Sequence, residues 1–220
     1  MKSIILHDFE VCNALKNDVI QIRRPVKNIP ECVILDMKRE PKLRDSNLTK
    51  WLLKMCKCPF GQPGDQLWVK ETWQAVSPDE NYRPIDECNI IYAATDIHPG
   101  FLASEYRYHN GYKNDDGADI VYPWRSSVRL PREASRITLE VDEIRVEPVQ
   151  NITEDDAKEE GIDPEFEMSV EEFYNKKISP NSTYKLGFKH VWDSLYAEKG
   201  FGWDDNLPVW AGKFKVVERK

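Results

Sequence analysis

Cys58-Pro59-Phe60-Gly61-Gln62-Pro63-Gly64-Asp65-Gln66-Leu67-Trp68-Val69-Lys70-Glu71-Thr72-Trp73 is the stretch whose reading decides the fold. Its first half is dense turn chemistry, with two prolines, two glycines and an aspartate. Its second half alternates with period two: Leu67, Val69 and Glu71 against Trp68, Lys70 and Thr72. That pattern predicts a strand over Gln66 to Trp73. Glu71 shares a side with Leu67 and Val69, so it is expected to face an interior and to need a partner there. Two partners suit it: the amino group of a base in an adjoining cavity, or Arg24 in a structural bridge.

Upstream, Ser3 to Leu6 is a short apolar run suited to a strand. Asp8 is placed to cap a helix over 9–17, in which Phe9, Val11, Cys12 and Leu15 recur at helical spacing. Val19 to Ile22 is a β-branched strand that leads into Arg23-Arg24-Pro25. Residues 27–50 are polar and mixed, and read as a loop; Trp51 to Met55 fits a helical turn or a strand.

Downstream, Asn89 to Ala94 reads as a strand inside a longer excursion over 75–120. Tyr122 to Pro131 is rich in turn residues, and Ser135 to Val149 is the clearest strand signal in the chain. Thr153 is expected to cap a short helix that ends near Gly161, with Glu154-Asp155-Asp156 as solvated charge at its favourable end. Residues 163–182 form an acidic insertion. Tyr184 to Ala197 predicts a second helix, with Leu186, Val191, Trp192 and Leu195 on its apolar side, and Val209 to Val217 closes the chain as a strand. The order of elements predicts an α+β fold: a mixed β-barrel with peripheral helices, formed by one domain over 1–220 with insertions near 27–50, 75–120 and 163–182.

Composition narrows the function. Of 220 residues, 40% are hydrophobic and 31% charged, which suits a soluble globular protein. A net charge of −7 argues against wrapping a long duplex, which requires neutralising many phosphates, but leaves room for a local basic cleft. Five cysteines, an odd number, suggest a reducing, cytoplasmic setting. Cys56 and Cys58 lack a second pair at zinc spacing, so neither a metal nor another cofactor is expected. No apolar run suggests a membrane span, and Met1 to Asp8 has no signal-peptide core.

Five segments, in order, resemble the phage-type ASCH-domain family of the PUA-like superfamily. They are Gln21-Ile22-Arg23-Arg24-Pro25-Val26; Cys58 to Trp73; Trp124-Arg125-Ser126-Ser127-Val128-Arg129-Leu130-Pro131 with Ala134 to Ile137; Ile152 to Ile162; and the helix with Trp192 followed by Asn206 to Phe214. The resemblance implies a PUA-like barrel with a cleft for a nucleobase. Some family members hydrolyse the acetyl amide of N4-acetylcytidine with a Lys, a Thr and a Glu. Carried over by position, Arg24 and Glu160 match, but the expected Lys falls on Val19 and the expected Thr on Ile22. The closing motif also departs, running Asn206-Leu207-Pro208-Val209-Trp210.

An amide hydrolase needs an activated nucleophile, a proton carrier and an oxyanion partner. Val19 and Ile22 supply none of these, so Glu160 is catalytic only if the chain is an enzyme by another route. Binding suits the remaining residues better. Arg23, Arg24, Lys70 and Arg125 offer donors to a phosphate or a base edge. Trp73 and Trp124 are stacking platforms or core residues, and Ser126 and Ser127 are hydrogen-bonding groups or turn formers. One of the two adjacent arginines can instead pair with Glu71 or Glu160. Three functions are therefore expected in order: binding of a nucleobase, nucleotide or RNA; amide hydrolysis on acylated nucleosides; and, for a phage protein in a host cytoplasm, a scaffold that binds a host protein.

Overall fold

The computed structural model describes residues 1–29, 46–76, 89–96, 112–113, 119–120, 124–164 and 183–220. In chain order the strands are β1 (Lys2–Ile5), β2 (Val19–Pro25), β3 (Gln66–Lys70), β4 (Trp73–Val76), β5 (Asn89–Tyr92), β6 (Tyr112–Lys113), β7 (Asp119–Ile120), β8 (Ile137–Pro148) and β9 (Pro208–Arg219). The helices are α1 (Asp8–Lys16), α2 (Ser46–Met55), α3 (Ala93–Asp96), α4 (Glu154–Glu159) and α5 (Tyr184–Tyr196). The class is mixed α+β, as the order of elements predicts. No helix among the described residues is long and apolar enough to cross a membrane.

Five strands form one sheet in the order β1-β3-β8-β9-β2. β1 runs parallel to β3, and the other neighbours are antiparallel. β4 pairs with β5 and β6 with β7 in two separate ladders. The long β8–β9 ladder slips register between Thr138 and Leu139 and again between Val141 and Glu143. Such bulges bend a strand and raise its twist. The sheet accordingly wraps one core that joins Ile4 of β1, Ile20 and Ile22 of β2, Leu67 and Val69 of β3, Leu139 and Val146 of β8 and Phe214 of β9. Each fully buried aliphatic side chain of this kind contributes about 1.5–3 kcal/mol.

The wrapping stops short of a closed hydrogen-bonded barrel among the described residues: β1 and β2 are the sheet's two edges. Helix α1 connects them and buries Val11 and Ala14 in the same core. A side chain also links the edges, because Arg24 on β2 donates from Nη2 to the Ile5 carbonyl on β1 at 3.0 Å.

A second core lies between α4, α5 and the start of β9, where Ala157, Ile162, Phe188, Trp192, Trp203 and Val209 meet. Thr153 caps α4 as expected: its hydroxyl accepts from the Asp156 N–H at 3.0 Å, and Asp156 accepts in return from the Thr153 N–H at 3.2 Å. Gly161 follows the helix at φ +81, where a Cβ would come within 2.6 Å of the Asn13 Cβ. Glycine is therefore required for α4 to close on α1.

Several sequence expectations are corrected. The strand expected from Gln66 to Trp73 ends at Lys70, and Trp73 begins β4 in another ladder. The alternation itself holds: Leu67, Val69 and Glu71 are buried. The expected Asn89–Ala94 strand ends at Tyr92, and Ala93 enters α3. Asp8 is the first residue of α1; His7 is its cap, and its N–H donates to Glu10 at 2.8 Å. The loop expected over 27–50 gives way at Ser46 to α2, which settles Trp51 to Met55 as helix. On α5 the buried side is Gly187, Phe188 and Trp192 rather than the flank with Leu186 and Leu195. Most of the three expected insertions, including 30–45, 97–111 and 165–182, lies outside the described residues.

Candidate functional site

The residues singled out in the sequence fall into two separate groups, a buried charge cluster and an open cleft. The cluster begins with β2. Its alternation sends Ile20 and Ile22 into the sheet's core, so Gln21 and Arg23 face the opposite way, beneath α4 and α5. The Arg23 side chain is fully buried. Its Nη2 donates to Glu147 at 2.7 Å and to Asp156 at 3.2 Å, and its Nη1 donates to Glu160. Arg145 adds a second cation, donating to Asp156 at 3.1 Å and to the Gln21 side-chain amide oxygen (Oε1) at 2.8 Å. Arg24 points to the other side of the strand and forks onto both carboxylate oxygens of Glu10, each at 2.7 Å.

Glu10, Glu147, Asp156 and Glu160 therefore face three guanidinium groups, which leaves one negative charge in excess in a largely buried setting. Glu160 absorbs that excess: burial outweighs its Arg23 contact and pushes its carboxyl up to about 7. Asp156 goes the other way. Burial raises its carboxyl, but Gln21, Arg23, the Thr153 N–H and Arg145 together outweigh burial and hold it at about 2. Burial works against the charge on both Arg23 and Arg24, yet Glu160 and Glu147 for the first and Glu10 for the second raise them further.

This geometry binds α1, β2, β8 and α4 into one body. It brings Arg23, Arg24 and Glu160 near one another, as the sequence suggested, but commits Arg23 to Glu160, Glu147 and Asp156, and Arg24 to Glu10. Val19 stands half-exposed on edge strand β2, and Ile22 is sealed in the core. Neither side chain approaches the chemistry of an amide hydrolase, and Glu160 is locked on Arg23 at 2% exposure.

Glu71 finds a partner that neither sequence reading named. It accepts two hydrogen bonds from Arg136, at 2.9 and 2.7 Å, and the Arg136 guanidinium also lies 4.1 Å from the Tyr92 ring centroid. The pair sits where β3 ends, and the bridge to Arg24 is not formed.

The open cleft has a volume of about 630 Å³ and is lined by Trp124, Arg125, Ser126, Val128 and Arg129. That volume is in the range of pockets that take a nucleotide-sized ligand. Arg125 is held by backbone exchange with Trp73, N–H to carbonyl, at 2.7 and 3.3 Å. Its guanidinium lies over the Trp73 ring, 5.1 Å from the centroid. Trp73 itself packs with Ala75 and Leu130 at 1% exposure, so it is the floor under Arg125 and not a stacking surface. Ser126 and Ser127 begin a short 3-10 turn, and their carbonyls accept from the Arg129 and Leu130 N–H groups. Lys70 fixes this turn to β3, donating from Nζ to the Val128 carbonyl at 2.9 Å. Among the described residues no carboxylate pairs with Arg125 or Arg129. Compared with known proteins, the chain matches no family model, no curated relative and no solved structure.

Sequence reasoning thus found Trp124, Arg125 and Ser126 of the cleft and missed Val128 and Arg129, which stand in the same quoted segment. It missed Glu147 and Arg145, which no periodicity marks because β8 buries residues on both faces near Pro148. It read Asp156 as solvated, whereas that side chain is 14% exposed and held by two arginines. The reciprocal capping pattern was the available signal: it fixes the Asp156 carboxylate against the helix start, turned toward β2.

Proposed function

We propose that this chain is a phage-type ASCH-domain binding protein, a PUA-like barrel whose open cleft holds a nucleobase, nucleotide or RNA. The observation that carries the reading is the cleft at Trp124–Arg129. There an indole, a hydroxyl and two arginines meet, and among the described residues no carboxylate pairs with either arginine. An aromatic face takes the base and forked guanidinium donors take a phosphate or a base edge. The wrapped sheet, with Arg24 linking its edges, accords with a barrel opened at one seam.

Hydrolysis of acylated nucleosides finds no comparable support. Its amine and nucleophile positions are Val19 and Ile22, respectively, and Glu160 faces Arg23 instead of solvent. Titration of the protein with uridine, cytidine and adenosine monophosphates, N4-acetylcytidine and short RNAs tests the binding reading. Saturable binding that Arg129→Ala weakens supports it. A folded protein that binds none of these ligands refutes it.

A further inference from the structure

The cleft does not end at its own wall. Its lip is Val128, whose side chain is 61% exposed, and on the far side of that lip lies the outer face of β3. Lys70 bridges the two, with its Nζ 2.9 Å from the Val128 carbonyl and 4.9 Å from the centroid of the Trp68 ring. Trp68 belongs to the solvent side of the strand, because its neighbours Leu67 and Val69 fill the core side. Its indole is partly exposed, and in register beside it are the exposed Ser3 on β1 and, on β8, Thr138, whose hydroxyl donates to Glu218 at 3.0 Å. The local charge agrees. Residues 124–136 carry four arginines and one acidic residue, Glu133, on a chain whose net charge is −7, and of those arginines Arg136 is committed to Glu71.

We propose that Trp68 and Lys70 form a second nucleotide position, so that the ligand is a single-stranded nucleic acid running from the cleft across the Val128 lip onto β3. The inference rests on the cleft reading and deepens it. A free base or mononucleotide needs one aromatic platform. A strand needs successive platforms with cations between them, because each base stacks in turn while the phosphates run past positive charge. Trp124, then Arg129 and Lys70, then Trp68 give that succession. A duplex does not suit it, since its bases are already stacked and its charge would meet an acidic body.

Fluorescence anisotropy with labelled ten-nucleotide RNA and DNA strands, run against unlabelled uridine and adenosine monophosphates, tests the ledge. The strands bind at least tenfold tighter than the mononucleotides, and their affinity falls as salt rises. Trp68→Ala lowers strand affinity roughly tenfold and leaves mononucleotide affinity as it was, while Trp68→Tyr, which keeps a ring, restores most of the loss. Binding of either sugar type supports the proposal, and the RNA and DNA arms identify which one the protein takes. Mononucleotide binding with no gain for the strands overturns the ledge and leaves the cleft standing. Failure of every ligand overturns both. Equal loss in Trp68→Ala and Trp68→Tyr, or displacement of the strands by polyglutamate of the same length, also overturns the ledge.

Discussion

The charge cluster under α4 and the open cleft beside β4 are both built on arginines, and they do opposite things. Arg23 is enclosed by Glu147, Asp156 and Glu160 and has no exposed side-chain surface. Arg125 lies on an aromatic floor, and Arg129 stands exposed on a 3-10 turn. The sequence offers Arg23-Arg24 and Arg125 through Arg129 on equal terms. What separates them is the group each guanidinium faces. An arginine ringed by carboxylates is part of the scaffold, whereas one seated on a ring, with no acidic partner among the described residues, has donors to offer a ligand.

The largest effect is expected at Arg23. Arg23→Ala leaves three carboxylates in a buried site without their shared cation, a change that costs about 3–5 kcal/mol in comparable pairs. Denaturant unfolding should show a loss of that size or a chain that no longer folds. An unchanged midpoint would mean that the cluster is not structural.

Acidity gives the next largest effect. Because Glu160 sits near 7 when folded and near its ordinary value of 4.5 when unfolded, the folded state holds the extra proton between those values. Its contribution therefore favours the folded state below pH 4.5, fades as pH rises through 7, and is constant above that. Asp156, held at about 2, has the reverse sign: its contribution is full above its ordinary value of 3.8 and is lost as pH falls through 2. Glu160→Gln should flatten the fall in stability between pH 4.5 and 7, read from urea melts across that window, and leave the acid limb in place. A fall of the same steepness in the variant would assign the titration to another group.

On the cleft side, Arg129→Ala should weaken nucleotide binding roughly tenfold, as expected for one charge-assisted contact worth about 1.4 kcal/mol. It should change the unfolding free energy by no more than about 0.5 kcal/mol, as for an exposed position. The opposite pattern, lost stability with intact binding, would place Arg129 with the scaffold arginines. The smallest effect belongs to Thr153→Ala. Loss of this cap costs about 1 kcal/mol and loosens the helix that carries Asp156, while nucleotide affinity at the cleft should stay as it was. Calorimetry with and without nucleotide separates the two.

How far the sequence reached follows the same line. Period-two alternation placed Leu67, Val69 and Glu71 on one side because burial imposes that period directly. The turn after Lys70 left no mark, since Thr72 and Trp73 are as strand-like as the residues before them and the change is one of partner, from β8 to β5. The capping pattern at Thr153 was legible because it is local. The partners of Arg23 and Glu71 were not, because Glu147, Glu160 and Arg136 come from distant parts of the chain and any of several carboxylates would have read equally well. The cleft was half visible: the segment from Trp124 was singled out, but the lining role of Arg129 depends on the 3-10 turn that lifts it there.

The register of the sheet has a consequence in time. Among the described residues β2 pairs only with β9, residues 19–25 against 209–215. During synthesis β2 therefore leaves the ribosome without that partner and with its two arginines unmatched, and it stays so until β9 has followed. Closing so long a loop is slow. Until it closes, a strand carrying Ile20 and Ile22 is exposed to every other nascent copy, so the yield of this protein in a cell depends on how soon β9 emerges and on what shields β2 meanwhile.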